Sequence, residues 1–283
     1  MKLGRVGPIG AEVPVALHEG GYRDLRPVVA DLAGDALSPE TLRRIRAEID
    51  TLPVVEGAEH LRRGAPIARP GAIICIGMNY AAHAAESGSP PPEIPPIFLK
   101  TPNTIGGPDD EVTIPRGSLK TDWEVELGVV IGTRALYLDT LEDARACVAG
   151  YVLANDVSER AFQLEESGGQ WSKGKCAPGF TPLGPWLVTA EDVDATDVRL
   201  RSWVNGEPRQ DSSTSDLIFG VDEIVRHLSQ YLALEPGDLI LTGTPAGVAL
   251  SGRFAYLRSG DVVETEITGL GRQAQRFVEY ERV

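Results

Sequence analysis

The stretch that decides the fold is Asp122-Trp123-Glu124-Val125-Glu126-Leu127-Gly128-Val129-Val130-Ile131-Gly132. Successive side chains of a β-strand point to opposite faces, so the three carboxylates would share one face and the neighbouring apolar side chains the other. Adjacent carboxylates repel one another, and burial would add the cost of removing them from water. A bound divalent cation would remove that conflict, whereas an exposed strand with an acidic outer face would avoid it. The stretch therefore predicts either a carboxylate metal site or the solvent-facing side of a sheet.

Composition limits the class of protein and its partners. The 283 residues suit one or two domains, and 27 basic against 41 acidic side chains give a net charge of −14. That balance argues against a nucleic-acid or anionic-membrane surface. Three widely spaced cysteines support neither a disulfide framework nor a thiolate zinc site. Because the sequence also lacks a hydrophobic signal core and any apolar run of about 18 to 20 residues, we expect a cytoplasmic protein without a membrane span.

Two regions differ in pattern. Residues 1–66 predict a small N-terminal α/β domain with short strands and one helix, which Ser38 would cap and Pro39 would begin. Turn residues at 64–71 precede a buried-strand pattern, so we place the boundary near residue 67 and expect a catalytic domain over 67–283.

Strand patterns dominate the second region. They cover residues 72–77, 97–100, 124–131, 150–154, 186–189, 200–204, 239–242 and 261–267. Helical periodicity is confined mainly to residues 141–150 and 221–234. Strands without regularly alternating helices predict a β-rich α+β fold rather than a doubly wound parallel sheet.

Chemistry-bearing residues lie at the ends of these elements. His83 and Glu86 are three residues apart, so on a helix they could form either a general-base pair or a surface pair. Asp156 follows an apolar strand, where an aspartate can form a turn or cap a helix. Alternatively, it joins Glu124 and Glu126 in an all-oxygen ligand set suited to Mg²⁺ or Mn²⁺. Lys175 lies in a Gly- and Pro-rich loop and is either solvated or paired with a substrate anion.

Four ordered motifs resemble the fumarylacetoacetate hydrolase family over residues 70–270. They are residues 77–86 (G-x-N-Y-x-x-H-x-x-E), 122–132, 155–160 (NDVSER) and 239–248 (LILTGTPAGV). The resemblance implies a mixed β-roll and a divalent metal held by Glu124, Glu126 and Asp156. It also implies a homodimer or larger homo-oligomer, and a lid segment that carries His83 and Glu86.

The resemblance further implies roles for individual residues. His83, oriented by Glu86, would activate water, and Lys175 would stabilise developing negative charge. Substrate contacts are expected from Asn79, Tyr80, Lys100, Arg160, Gln163, Gly243 and Thr244. The segment 87–92 after Glu86 is expected to help select the substrate side chain. Similar sequences usually carry an aspartate three residues after the loop lysine, where this chain has Pro178, so any role of that aspartate is lost.

The predicted reaction is metal-dependent hydrolysis of a carbon–carbon bond in a 2,4-dioxo acid, giving pyruvate and a second acid. Motifs at 159–163 and 168–175 are similar to those of bacterial diketo-deoxy-sugar-acid hydrolases and equally to ureidoglycolate lyases. Hydroxymuconate-type isomerisation and oxaloacetate decarboxylation are further outcomes in the family. Because of Pro178, a catalytically idle ligand-binding module is the alternative from another class.

Overall fold

A computed structural model describes residues 1–86, 88 and 90–281; the predicted selectivity residues Ser87 and Ser89 lie outside that set. Eighteen strands in the described residues are numbered in chain order. They are β1 Lys2–Val6, β2 Val13–His18, β3 Gly21–Asp24, β4 Arg63–Gly64, β5 Ile73–Ile76, β6 Ile97–Lys100, β7 Ile105–Gly106, β8 Val112–Ile114, β9 Thr121–Asp122, β10 Val125–Ile131, β11 Val148–Asn155, β12 Ser158–Glu159, β13 Thr181–Thr189, β14 Arg199–Val204, β15 Glu207–Ser213, β16 Leu239–Leu241, β17 Val262–Ile267 and β18 Gly271–Glu279.

Four α-helices accompany the strands over the described ranges: α1 Pro39–Glu48, α2 Ala81–Glu86, α3 Leu141–Ala146 and α4 Val221–Ser229. The predicted start of α1 is confirmed, because the Ser38 hydroxyl accepts a hydrogen bond from the Thr41 amide at 3.2 Å. The two other predicted helices, over residues 141–150 and 221–234, are shorter in the structure than predicted. After α3 the chain enters the buried strand β11 at Val148, and after α4 it turns so that Leu234 pairs with Ala135.

The central sheet has the strand order β3-β2-β1-β13-β11-β10-β16-β5-β6, with β4 paired to β1 and β7 to β13. Strand β10 lies inside this sheet between β11 and β16, and all seven of its residues are buried. Val125, Leu127, Val129 and Ile131 pack into one core, and Val130 packs into a second core on the opposite face. The alternative of an exposed acidic strand is therefore excluded.

A five-stranded sheet, β15-β14-β17-β18-β8, packs beside β10 and β11, and β9 and β12 form a separate two-stranded ladder. The sequence patterns missed β18, whose alternating residues include several polar ones, and β1 at the chain start. The predicted β-rich α+β class is confirmed.

The N-terminal residues extend the central sheet. Strand β1 pairs antiparallel with β13, with Lys2 opposite Val188 and Leu3 opposite Leu187. Leu37 and Ile45 are fully buried against the same face of the sheet as Val130. The boundary at residue 67 stays a prediction.

Among the described residues, every helix is too short or too polar to cross a membrane.

Candidate active site

Three carboxylates meet where β10 and β11 lie side by side. Glu124 immediately precedes β10, Glu126 lies within it, and Asp156 follows β11. The antiparallel register pairs Val125 with Asn155, which brings the residues flanking this pair together. One oxygen from each carboxylate lies within 4.8 Å of the others, and all three residues are buried. The predicted three-carboxylate set is thus formed by the fold.

Asp122 is not part of this set, so the prediction that it shares a strand face with Glu124 and Glu126 was wrong. The strand breaks at residues 123–124, and Asp122 ends the separate strand β9. Its carboxylate accepts hydrogen bonds from Arg160 Nε at 2.8 Å and from the amides of Ala249 and Leu250 at 2.8 and 2.9 Å. Asp122 therefore fixes the neighbouring loop.

Buried cations partly compensate the carboxylates. The Lys175 ammonium lies 2.6 Å from Glu124 and 2.7 Å from Asp156, while Lys100 pairs with the other oxygen of Asp156. Arg160 Nη2 lies 2.7 Å from Glu124. Burial opposes ionisation of Glu124, but the charges of Lys175 and Arg160 prevail and lower its pKa to about 2.

Glu126 is the carboxylate that lacks such compensation. It is 2% exposed and accepts a hydrogen bond from the Gly243 amide at 2.8 Å, yet no ion pair joins it to a cation within the described ranges. Burial and the charges of Asp156 and Glu124 raise the pKa of Glu126 well above its ordinary value. A buried all-oxygen donor set with one uncompensated carboxylate fits a hard divalent cation such as Mg²⁺ or Mn²⁺.

The His83–Glu86 pair lies on α2. His83 Nδ1 is 3.7 Å from Glu86 Oε2, about half an ångström beyond hydrogen-bond range, and has no hydrogen-bond partner among the described residues. Glu86 instead accepts hydrogen bonds from the Gly247 amide at 3.0 Å and from Arg253 at 3.2 Å. Burial lowers the pKa of His83, so the imidazole is neutral around pH 7.

A cavity of about 100 Å³ adjoins these groups. Its polar wall contains predicted site residues from all four motifs and the lysine loop, namely His83, Glu124, Glu126, Arg160, Gln163, Lys175, Gly243 and Thr244. The fold therefore brings together side chains that are up to 161 positions apart in the sequence. Glu86 borders a neighbouring cavity that shares His83 and Leu250 with the first.

Three predicted substrate contacts have a different environment. The Asn79 amide donates to the carbonyl oxygens of Phe219 and Thr242 at 3.1 and 2.8 Å and accepts from the Phe219 amide, so it ties two loops together. Lys100 lies behind Asp156 and donates to the Phe180 carbonyl at 2.6 Å. The Tyr80 hydroxyl is buried and unpartnered within residues 1–86, 88 and 90–281. Direct contact of these three with substrate stays a prediction.

Apolar residues that the motifs did not single out form the rest of the cavity. They are Ile76, Met78, Phe98, Leu164 and Leu250, and they join Trp171. Met78 has a φ of 53°, in the left-handed region that non-glycine residues rarely adopt. No local pattern in the sequence marks Leu250, because the Asp122 carboxylate positions its segment from 128 residues away.

The model of the fumarylacetoacetate hydrolase C-terminal domain matches residues 72–278. The chain belongs to this family. It is 49% identical over 284 residues to a Burkholderia ambifaria protein that is provisionally named a hydrolase. The alignment covers 97% of this chain and 98% of that protein. The resemblance predicted from the four motifs is confirmed.

Two solved structures of the fumarylacetoacetate hydrolase fold are similar to this chain over nearly its whole length. The 2-hydroxyhepta-2,4-diene-1,7-dioate isomerase of Mycobacterium marinum is 32% identical, with a TM-score of 0.77 and full coverage of both chains. Maleylpyruvate hydrolase from Sphingobium sp. SYK-6, solved with manganese(II) and pyruvate, is 25% identical, with a TM-score of 0.80, covering 99% of this chain and all of that one. The family thus includes hydrolases and isomerases, and this chain shares their enzyme fold.

Proposed function

We propose that this protein is a divalent-metal-dependent hydrolase that cleaves a carbon–carbon bond of a 2,4-dioxo acid. The observation that carries the proposal is that one cavity contains His83, two of the three buried carboxylates and Lys175. The Sphingobium hydrolase of the same fold, which binds manganese(II) and pyruvate, supports the choice of metal and product class. An acylpyruvate and water would give a carboxylate, pyruvate and one proton.

Glu124, Glu126 and Asp156 would hold Mg²⁺ or Mn²⁺, which when bound supplies a Lewis acid to the 2-oxo acid end of the substrate. The neutral His83 imidazole would accept a proton from water as it attacks the 4-carbonyl carbon. Glu86 would stabilise the resulting imidazolium once the 3.7 Å separation shortens. Scission of the bond between C3 and C4 leaves the electron pair on C3, which a proton then converts to the methyl group of pyruvate.

Lys175 and the turn at Gly243–Thr244 would orient the anionic end of the substrate. The Lys175 ammonium lies 2.6 and 2.7 Å from two carboxylates of the proposed metal set, so it borders the position at which negative charge develops. Gln163 accepts from Arg160 Nη1 through its carbonyl oxygen, at 2.9 Å, which leaves its amide N–H groups available to the cavity.

A second candidate reaction is isomerisation of an unsaturated 2-oxo diacid, which the similarity to the Mycobacterium marinum isomerase favours. Isomerisation of a 2-hydroxy diene to a 2-oxo ene moves the enol proton from oxygen to carbon and needs no attack by water. A solvent ¹⁸O label therefore separates the two reactions, because only hydrolysis transfers oxygen from water to the released acid.

The test measures pyruvate release from a panel of acylpyruvates with Mg²⁺, Mn²⁺ or a chelator. We expect metal-dependent release, and a loss of about 10²- to 10⁴-fold in kcat for His83→Gln with little change in metal affinity. The exposed His60, 84% accessible at its side chain, provides the matched control His60→Gln. Glyoxylate from ureidoglycolate, or conversion without hydrolysis, would reassign the reaction.

We also propose a homo-oligomer that acts on a small oxo acid and binds neither nucleic acid nor membrane. The high acidic charge supports the absence of a nucleic-acid partner. Light scattering after size-exclusion chromatography tests the assembly.

A further inference from the structure

We infer that the substrate of this site is a monocarboxylic 2,4-dioxo acid with a short aliphatic acyl group, rather than a dicarboxylic or polyhydroxylated one. The inference rests on the proposed function and adds the chemistry of the end of the substrate that lies away from the metal carboxylates. Two independent features carry it: the composition of one cavity wall and the commitment of the buried cations.

The apolar wall of the cavity is formed by six side chains: Ile76, Met78, Phe98, Leu164, Trp171 and Leu250. The rings of Phe98 and Trp171 meet edge to face with centroids 5.8 Å apart. A Cβ atom at Gly77 would lie 2.6 Å from a ring carbon of Trp171, so the indole rests directly on the backbone there. Packing therefore fixes the aromatic part of this wall.

Two leucines at the edge of the wall are incompletely covered by protein. Leu164 is 47% exposed and Leu250 is 37% exposed, although both line the cavity. Their segments are anchored at the polar end: Gln163 next to Leu164 accepts from Arg160, and Asp122 accepts from the Leu250 amide. An aliphatic group bound between the leucines would remove their apolar surface from water, which is favourable.

The buried cations are already committed to protein carboxylates. Arg160 donates to Asp122 through Nε and to Gln163 through Nη1, and its Nη2 lies 2.7 Å from Glu124 as an ion pair without hydrogen-bond geometry. Lys175 and Lys100 are paired as described above. Within the described part of the chain, this cavity thus has no cation left for a second substrate carboxylate at its apolar end.

Arg253 contacts Glu86, which borders the adjoining cavity. Its Nη1 donates to Glu86 at 3.2 Å, and its guanidinium carbon lies 5.3 Å from the Phe254 ring centroid. A distal carboxylate at Arg253 would compete with Glu86 for this guanidinium, whereas one placed against the apolar wall would lose part of its hydration without gaining a counter-ion, which is unfavourable.

Sugar-acid hydroxyls meet a related difficulty. Of the six side chains in the apolar wall, only Trp171 carries a strong hydrogen-bond donor, its indole N–H. Several hydroxyl groups placed against this wall would lose more hydrogen bonds to water than the indole N–H of Trp171 and the neighbouring Gln163 amide can replace. The same wall accepts a propyl or butyl chain without that cost.

The test compares kcat/KM for pyruvate release from butanoylpyruvate, maleylpyruvate and a 2,4-dioxo-deoxy sugar acid with Mn²⁺. We expect butanoylpyruvate to exceed each of the others by about tenfold or more. Leu164→Arg should shift the ratio of maleylpyruvate to butanoylpyruvate by about tenfold toward maleylpyruvate. The control Leu141→Arg, at a leucine that is 49% exposed on α3, should leave the ratio unchanged.

The outcomes separate the two proposals. Faster release of pyruvate from maleylpyruvate or from the sugar acid by the unmodified enzyme would overturn the inference and leave the hydrolase proposal intact. Absence of pyruvate from all three substrates, with metal bound, would overturn the hydrolase proposal and the inference with it.

Discussion

Single carboxylates in this site differ in their electrostatic surroundings, and that difference determines what each contributes. Asp122 is ion-paired with Arg160 and receives three backbone amides, including that of Trp123 at 2.9 Å. Glu126, only four residues later, has one backbone amide and no ion pair with a described cation. Asp122 therefore stabilises the metal-free fold, whereas the proposed cation would compensate the charge of Glu126.

The first prediction concerns that contrast. Glu126→Gln should weaken Mn²⁺ binding by at least about a hundredfold and leave the melting temperature of the metal-free protein nearly unchanged, because a buried uncompensated carboxylate is removed. Asp122→Asn should destabilise the metal-free protein by about 3 kcal/mol, since it leaves Arg160 with reduced compensation. Calorimetric Mn²⁺ titration and thermal unfolding measure the two effects. Unchanged Mn²⁺ affinity of Glu126→Gln would remove this residue from the ligand set.

The second prediction concerns the protonation of His83. Burial lowers its pKa, Glu124 and Glu86 act in the opposite direction, and Arg160 reinforces the decrease. Because its pKa is lowered, the imidazole stays neutral down to a lower pH and can still accept a proton there. The acid limb of kcat/KM should therefore lie below the ordinary histidine value of 6.5. The His83→Gln profile should lack this limb; a limb that persists in the variant would assign the titration to another group.

At the scale of elements, strand β15 of the five-stranded sheet supports strand β10 of the central sheet through one buried side chain. Gln210 accepts a hydrogen bond from the Val125 amide at 3.1 Å and donates to the Thr244 hydroxyl at 2.8 Å. That hydroxyl donates to the Val125 carbonyl at 2.9 Å, which closes a ring of three hydrogen bonds. Because Val125 separates Glu124 from Glu126, the ring positions both carboxylates and the Gly243–Thr244 turn.

The third prediction follows from this ring. Gln210→Leu should lower Mn²⁺ affinity by about 10- to 100-fold, as loss of groups that orient metal ligands commonly does. Gln273 offers a matched control: it is equally buried, at 1% exposure, lies in the same sheet, and its side-chain nitrogen and oxygen lack hydrogen-bond partners among the described residues. Gln273→Leu should leave the affinity unchanged. Equal affinity in Gln210→Leu and the unmodified protein would limit Gln210 to a packing role.

At the scale of the whole molecule, the first 66 residues cover one face of the central sheet. Leu3, Leu37 and Ile45 are fully buried in the same core as Leu187 and Val130, which lie within residues 67–283. Strand β1 also pairs with β13 at Leu187 and Val188, beyond the end of β13 that β7 covers. Although sequence patterns separate residues 1–66 from 67–283, the contacts between them resemble the interior of one folding unit.

The fourth prediction tests that interdependence. A fragment of residues 67–283 should lose cooperative thermal unfolding and bind a hydrophobic dye, because removal of β1 and α1 exposes the leucine-rich face and an open strand edge. Circular dichroism and dye fluorescence, with the full-length chain as reference, measure both properties. A soluble fragment with a cooperative transition would instead support an independent catalytic domain.

The sequence by itself determined the features that depend on local pattern. Alternation along residues 125–131 set which side chains of β10 share a face, Ser38 and Pro39 set the start of α1, and the four ordered motifs identified the family. It also selected Glu124, Glu126 and Asp156 as one oxygen-ligand set, because their chemistry can be recognised without knowing their distances.

Tertiary structure decided the features that depend on distant partners. Because the strand breaks before β10, Asp122 forms an ion pair with Arg160. The register of β10 with β11 places Asp156 beside Glu124 and Glu126. Strand β15 supplies Gln210, which hydrogen-bonds to the Val125 amide. The apolar wall combines residues from segments as far apart as Ile76 and Leu250. Local sequence records neither hydrogen bonds nor packing across such separations, since these interactions arise only when the sheets and loops assemble.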